Sequence, residues 1–358
     1  MALPDIRDAT RDYEAWLGRH IRIVKADLEA KHARMAQDAF SFFRATFYRW
    51  MQLFPEQCAK TWAAPRVLAV GDLHVENYGT WRDAEGRLVW GINDFDEVFS
   101  LPYTIDLVRL AASATLAIQL NHLKFAPVTA CDAILEGYAE ALEKGGEPFV
   151  LAAEHAWLHE AVTSHLRDPV MFWKKFDALP SVKPVPARVM SLLKQAMPSR
   201  NLEFRVAHRQ AGLGSLGRER FTAIAKWDGG NIAREAKALL PSACVWANGS
   251  RGGQIYYGRM LRQIVRARDP FMVAHEGWIL RRLAPYCCRI ELRQLPRGPY
   301  AEKLSRAMGR ELGNVHLGSR RAIAAVRRDL RQRHPKWLHH ASAAMVEATL
   351  KDWKDWRK

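Results

Sequence analysis

The chain has 358 residues, 49% of them hydrophobic, which excludes a disordered polymer and is long enough for two domains or one large two-lobed body. Its formal charge is +16, from 54 Lys and Arg against 38 Asp and Glu, and this suits a polyanionic partner such as nucleotide phosphates, nucleic acid or an acidic membrane surface. The five cysteines (Cys58, Cys131, Cys244, Cys287 and Cys288) form no C-x-x-C pair, which argues against a structural zinc site or a disulfide framework and for a reducing cytoplasm.

The opening residues, Met1-Ala2-Leu3-Pro4-Asp5, lack the basic and apolar pattern of a secretory signal. Residues 6–54 read as helix, with apolar positions at Trp16, Leu17, Ile21, Val24 and Leu28 and again at Phe40, Phe43, Phe47 and Met51. Pro55 is expected to end that run. Arg66–Val70 is a short apolar strand that leads directly into Gly71-Asp72, and a strand exit is where a rigid element aims a catalytic loop.

Gly71-Asp72-Leu73-His74-Val75-Glu76-Asn77 is followed by an expected hairpin: Tyr78–Trp81 extended, a turn at Asp83–Gly86, and Arg87–Ile92 extended. Asn93-Asp94-Phe95-Asp96-Glu97 comes next. A hairpin of this length returns the chain beside its start, so Asp72, Asn77 and Asp94 would converge on one ion. In kinases such an acid orients the acceptor hydroxyl, while the amide and the second acid hold Mg²⁺ on the phosphates. Asp72 is therefore the candidate catalytic acid, and Asn77, Asp94 and Asp96 are candidate ligands of Mg²⁺, a cation that prefers hard oxygen donors. Asp96 and Glu97 add carboxylates for a second ion or a cationic substrate. His74 is a candidate for orienting the catalytic loop through hydrogen bonds, with a structural histidine as the plainer reading.

Residues 103–145 and 150–165 read as helices, and the first carries Asp106 and Arg109, so it is a buried helix rather than a membrane span. These two charges are expected to pair and brace the catalytic loop. Residues 174–186, with Pro180 and Pro184, read as a loop. From 203 to 240 the texture turns to strands around Gly212-Leu213-Gly214-Ser215-Leu216-Gly217. A dinucleotide fold would place such a G-x-G-x-x-G between strand and helix, whereas here it falls between two strand-like segments, as in the phosphate-covering hairpin of kinases. Gly212, Gly214, Ser215 and Gly217 are thus candidate nucleotide contacts. Lys237, on the strand after the Asp228-Gly229-Gly230 turn, is the preferred phosphate-pairing lysine over Lys226, and Glu235 on the same face would orient it. Residues 254–270 read as helix, 286–294 as a strand, and 301 onward as helical, with basic concentrations at 318–336 and 351–358. Arg44 would reach phosphate or form a salt bridge. Trp81, Trp90, Trp227 and Trp246 would line a pocket or pack a core.

Kinases place the glycine loop before the catalytic loop, and here Asp72 precedes Gly212. The expected fold is therefore α+β, bilobal and protein-kinase-like but circularly permuted. Residues 1–200 would form a helical catalytic lobe, 201–295 a small antiparallel β lobe, and 296–358 basic helices that pack back. Gly71-Asp72-x-His74-x-x-Asn77 and Ile92-Asn93-Asp94-Phe95 resemble the catalytic and metal loops of aminoglycoside and choline phosphotransferases, with Val70 where those enzymes usually have histidine. Asp106-Leu107 resembles that superfamily's acid supporting the catalytic loop. The chain also resembles a bacterial family catalogued as a domain of unknown function, number 2252. The landmarks are Phe40–Arg44, Gly71–Gly79, Asn93–Glu97, Asp106–Ala111, Gly212–Gly217 and Arg234–Lys237. The resemblance implies a kinase-like fold.

The expected activity is ATP- and Mg²⁺-dependent phosphoryl transfer to a hydroxyl of a small molecule or protein, or AMP transfer from the same site. Two other readings compete. Gly71-Asp72-x-His74 and Gly313-Asn314-x-His316 resemble blocks of binuclear metallophosphatases, although the middle Gly-Asp block is missing. A basic, non-catalytic scaffold for nucleic acid would instead show salt-sensitive binding without turnover.

Overall fold

The computed structural model describes residues 3–120, 125–151, 155–163, 168–249, 253–289 and 300–358. It is a mixed α+β protein, with three antiparallel sheets among the described residues. The amino-terminal third is helical: α1 (Ile6–Gly18), α2 (Lys25–Gln37), α3 (Ala39–Ala45), α4 (Phe47–Gln57) and α5 (Ala59–Trp62). Asp5 and Asp38 cap α1 and α3 by accepting the backbone N–H of Asp8 and Ser41. Pro55 does not end its helix but sits inside the last turn of α4, where one missing N–H is tolerated.

Strand β1 (Arg66–Ala69) pairs with β4 (Phe99–Pro102), and β2 (Tyr78–Arg82) forms a hairpin with β3 (Leu88–Ile92), which also takes the short β5 (Phe149–Val150). The turn at Asp83–Gly86 is closed by the Asp83 carboxylate, which accepts from Glu85 and Arg87 backbone N–H. Behind these strands lie α6 (Thr104–Gln119), α7 (Pro127–Lys144) and α8 (Ala156–Thr163). The expected helices over 103–145 and 150–165 thus appear with breaks, and parts of both, 121–124, 152–154 and 164–165, lie outside the described residues.

Helix α9 (Pro169–Asp177) takes up the start of the segment expected as a loop, and α10 (Ala187–Ala196) follows. Both pack on a five-stranded sheet of order β6-β7-β8-β10-β9, formed by β6 (Arg205–Ala207), β7 (Arg220–Trp227), β8 (Gly230–Ala238), β9 (Val273–His275) and β10 (Trp278–Leu283). Asp228 and Gly229 both take positive φ, which matches a tight two-residue hairpin to strand twist. Between β8 and β9 lie α11 (Ala243–Ala247) and α12 (Tyr257–Gln263), so only part of the helix expected over 254–270 forms. The strand expected over 286–294 is represented by one isolated bridge, Gly79 with Arg289, and 290–294 lie outside the described residues. The chain ends with α13 (Tyr300–His316), α14 (Ile323–Gln332) and α15 (Trp337–Arg357).

One large apolar core runs through α1, α3, α4, α6, α7, α13 and α15, and a smaller one lies between α10 and the five-stranded sheet. Among the described residues no helix is long and apolar enough to cross a membrane.

Candidate functional site

A cleft of about 500 Å³ opens between the β1 exit, the β2–β3 hairpin and the five-stranded sheet. Asp72, His74, Asn77, Asp94, Asp96, Gly212, Gly214, Ser215 and Lys237 line it. Gly217 and Glu235 do not.

The turn out of β1 is fixed from below. The Asp106 carboxylate accepts the backbone N–H of Val70 (2.6 Å) and Gly71 (2.8 Å), and His316 Nε2 lies 2.9 Å from the same group. Gly71 takes φ +86°, and a Cβ there would run into the Glu97 backbone, so only glycine makes this turn. The expected Asp106–Arg109 pair does not form. Arg109 turns to the other side of the loop, where Nε donates to Asp72 Oδ1 (2.9 Å) and NH2 donates to the Phe43 carbonyl (3.0 Å) and to Asp72. Its guanidinium lies over Phe43, Trp50 and Phe47 at 4.1, 4.9 and 5.1 Å from the ring centres. Burial raises the Asp72 pKa, and the attraction of Arg109 only partly offsets this.

His74 is buried, and its pKa falls well below the ordinary imidazole value because of burial and the nearby Arg44, Arg109 and Arg289. Its Nδ1 accepts the Glu76 N–H (3.2 Å), and its own backbone N–H donates to Asn77 Oδ1 (2.8 Å). The neutral ring therefore braces the loop and has no free base nitrogen on the Nδ1 side. Asn77 accepts the Asn93 N–H through its carbonyl (3.0 Å), which stitches the two loops together.

The two acids after the hairpin diverge. Asp94 is about two-fifths exposed to the cleft, and its pKa rises through burial and repulsion by Asp96. Asp96 is low despite burial, because Lys237 contacts it directly and Arg218 NH1 stands 3.4 Å away. Asp96, expected as a metal ligand, is thus engaged by two cations, and Lys237 Nζ lies 4.0 Å from Asp94. Glu97, at the buried edge of the cleft, is likewise engaged, held by Arg218 NH2 (2.8 Å) and by the Ala243 N–H at the start of α11 (2.6 Å). Among the described residues no three His, Cys, Asp or Glu side chains cluster as a metal cage. A Mg²⁺ site needs less, since one or two carboxylates suffice when waters and phosphates complete the shell. The Asn77 amide oxygen, with one acceptor position left, and the repelled, cleft-facing carboxylate of Asp94 fit that requirement.

The glycine loop lies above Asp72 although 140 residues separate them (212 minus 72). A Cβ on Gly214 would stand 3.3 Å from Asp72 Oδ2 and 3.0 Å from the Arg44 carbonyl. Leu213 and Leu216 anchor the loop among Ile6, Met35, Phe42 and Ala45, and the Gly217 carbonyl accepts the Val24 N–H (2.9 Å). Lys226, the less favoured alternative, is exposed near the tip of β7, while Lys237 is buried against the acids. Glu235 does not orient Lys237, because three arginines take its carboxylate instead.

Arg44 pairs with Glu76 (2.8 Å), which also meets Arg289 (3.1 Å). Of the four tryptophans, only Trp81 reaches the cleft. Trp90 is in the core, Trp227 is at an exposed hairpin and Trp246 packs on Tyr13 and Tyr48. His316 bonds Asp106 beneath the loop and does not line the cleft with Asp72 and His74, and among the described residues the two metallophosphatase-like blocks build no cluster of three His, Cys, Asp or Glu. Arg209, Arg218, Arg220, Arg281 and Arg289 are residues of this site to which the sequence assigned no role, and Arg109 was assigned to the wrong partner. Only Arg218, directly after the glycine loop, had a local cue.

Residues 22–170 match the family model described as Uncharacterized protein conserved in bacteria (DUF2252). That segment carries both acidic loops, Asp106 and Arg109, and it stops before the glycine loop and the five-stranded sheet. No curated protein and no solved structure matches the chain.

Proposed function

We propose that the cleft binds a nucleoside triphosphate with Mg²⁺ and transfers a phosphoryl group to a hydroxyl of a small molecule or protein, in a kinase-like arrangement whose lobes are circularly permuted. The observation that carries this reading is the meeting of two distant constellations. The glycine loop covers Asp72, and Lys237 from the five-stranded sheet reaches the acids that follow the β2–β3 hairpin.

In this reading Asn77 and Asp94 hold the metal, which supplies charge neutralisation on the phosphate oxygens. Lys237 is released from Asp96 to pair with phosphate. Asp72, fixed by Arg109, orients the acceptor hydroxyl and takes its proton as the acceptor oxygen–phosphorus bond forms and the bond to the leaving nucleoside diphosphate breaks. Its raised pKa suits a group that must hold that proton. Asp106 and His316 keep the loop in register without touching substrate.

The test is thermal stabilisation by ATP with and without Mg²⁺, on wild type and on Asp94→Ala. Ligand at about 100 times its dissociation constant adds about 2.7 kcal/mol. A Mg²⁺-dependent shift that Asp94→Ala loses is the expected outcome, and release of ADP rather than pyrophosphate then identifies phosphoryl transfer. No shift with any nucleotide sinks the reading.

A further inference from the structure

Glu235 is fully buried on β8, and three guanidinium groups converge on it. Arg209 donates to Oε2 through Nε (3.1 Å) and NH2 (2.6 Å). Arg281 donates to Oε1 through Nε (2.8 Å) and approaches it with NH2 (2.7 Å), and Arg220 NH1 adds a bond at 2.5 Å. Sheet register explains the convergence. Arg281 on β10 is directly opposite Glu235, and on β7 Arg220 is two residues from its direct partner, Thr222. Arg209 arrives from the segment between β6 and the glycine loop.

The charges do not cancel. Burial alone would raise the Glu235 pKa, but the three arginines hold it well below the usual carboxylate range, so it stays ionised. Three cations and one anion leave +2 around a fully buried carboxylate; the neighbouring Asp96 is already engaged by Lys237 and Arg218, and Asp94 acts on Arg281 without forming an ion pair with it among the described residues. Uncompensated buried charge is costly and calls for an anion. Arg220 is committed to the glycine loop, because its NH2 donates to the Ala211 carbonyl (2.9 Å) and Ser215 Oγ (3.2 Å). Arg209 and Arg281 both line the cleft, at 18% and 27% exposure, and the NH1 of each has no hydrogen-bond partner among the described residues. A planar guanidinium already fixed by a carboxylate on one edge presents its other edge in the geometry that phosphate accepts.

We propose that Arg209 and Arg281, held by the buried Glu235, form an anion subsite that takes a phosphate group of a linear polyphosphate chain, free or as part of a nucleoside triphosphate. The subsite deepens the nucleotide reading and rests on the same cleft. Glu235 acts as the positioning residue, and the two arginines touch the ligand.

The experiment is isothermal titration of the full chain with inorganic tripolyphosphate, ATP and adenosine at one ionic strength. It compares wild type, Arg209→Gln, Arg281→Gln and, as the milder variant, Arg281→Lys, each with its melting temperature measured. Tripolyphosphate is expected to bind wild type. Each Gln variant should weaken tripolyphosphate and ATP by about tenfold or more, with Arg281→Lys in between, while adenosine affinity changes less than about twofold. Tripolyphosphate affinity that ignores both arginines in folded variants, or an equal loss for adenosine, overturns the subsite. If tripolyphosphate binds through these arginines and neither ATP nor adenosine binds, the subsite stands and the nucleotide reading falls. If ATP and adenosine bind equally and tripolyphosphate does not bind, the subsite falls and the nucleotide reading stands.

Discussion

At the scale of single residues, the cleft is governed by which buried charge has found which partner. Arg109 is nearly inaccessible, lies against three aromatic rings and pairs with Asp72. Arg109→Met would leave Asp72 half-desolvated with no counter-ion, and breaking such a pair costs about 3–5 kcal/mol, read as a lower urea midpoint. Glu311, on α13 beneath the hairpin, accepts the Ile92 N–H (3.1 Å) and Asn314 Nδ2–H (3.0 Å). Burial, only partly opposed by Arg266 and these donors, pushes its pKa up to about 7 from an ordinary 4.5. The folded chain therefore holds a proton that the unfolded chain releases between these values. Glu311 adds stability that is complete below pH 4.5 and is lost as pH rises through 7, with a ceiling of about 3 kcal/mol. Urea melts at pH 5 and pH 8 should show this slope in wild type and a flatter one in Glu311→Gln. An unchanged slope would remove Glu311 from the account. That Asp72, Asn77 and Asp94 line one cleft was legible in the sequence, because a short hairpin returns the chain beside its start. The partner of Arg109 was not, because three-residue spacing on a helix suggested Asp106, and tertiary packing sent the two side chains to opposite sides of the loop.

At the scale of elements, Gly313, which looked like a motif residue, proves to be a packing device together with Gly137 and Gly309. Helices α7 and α13 approach so closely that a Cβ on Gly137 would enter the Arg306 carbonyl, one on Gly309 the Ile134 carbonyl, and one on Gly313 the Ala141 side chain. Gly313 thus stands in Gly313-Asn314-x-His316 for helix contact, Asn314 for Glu311 and Glu147, and His316 for Asp106 and Tyr138. No rotamer relieves a clash with backbone, so Gly137→Ala must push the helices apart and should cost about 3 kcal/mol. Gly258→Ala, in a helix where the added Cβ would meet nothing closer than 3.5 Å, should be neutral or stabilising by up to about 1 kcal/mol. Comparing the two by chemical denaturation separates packing from propensity, and equal effects would refute the packing account. The period-two and turn signals around β7 and β8 were readable because Asp228-Gly229 is a strong hairpin cue. Strands β9 and β10 were missed because their two-residue turn is Glu276-Gly277, with a glutamate at φ +49°, a conformation glutamate rarely takes.

At the scale of the whole molecule, the last helix closes the first ones. The sequence marks 301–358 as helical and basic, but local periodicity carries no information about a partner three hundred residues away. Helix α15 buries Trp337, Leu338, Met345 and Val346 against the main core. It is pinned by Arg49 Nε to Asp352 (2.7 Å), Trp353 Nε1 to the Met35 carbonyl (3.1 Å) and Arg7 to the Trp356 carbonyl (3.0 Å). Arg49 and Met35 belong to α4 and α2, and α2 in turn bears on the glycine loop: its Asp27 accepts from His208 and Gln210, and Leu28 lies 3.3 Å from the Cβ position of Gly217. The final helix therefore supports the lid of the cleft through α2 without lining the cleft itself. Four large apolar side chains at about 1.5–3 kcal/mol each amount to about 6–12 kcal/mol, the same size as the net stability of an ordinary domain, about 5–15 kcal/mol. Deleting 337–358 should abolish cooperative unfolding by urea. Asp352→Ala should keep a cooperative transition, lowered by about 3–5 kcal/mol, because Arg49 is left buried without its partner. If the truncated chain still melts cooperatively near the wild-type midpoint, α15 is an appendage, and the glycine loop owes its position to α2 and α3 alone.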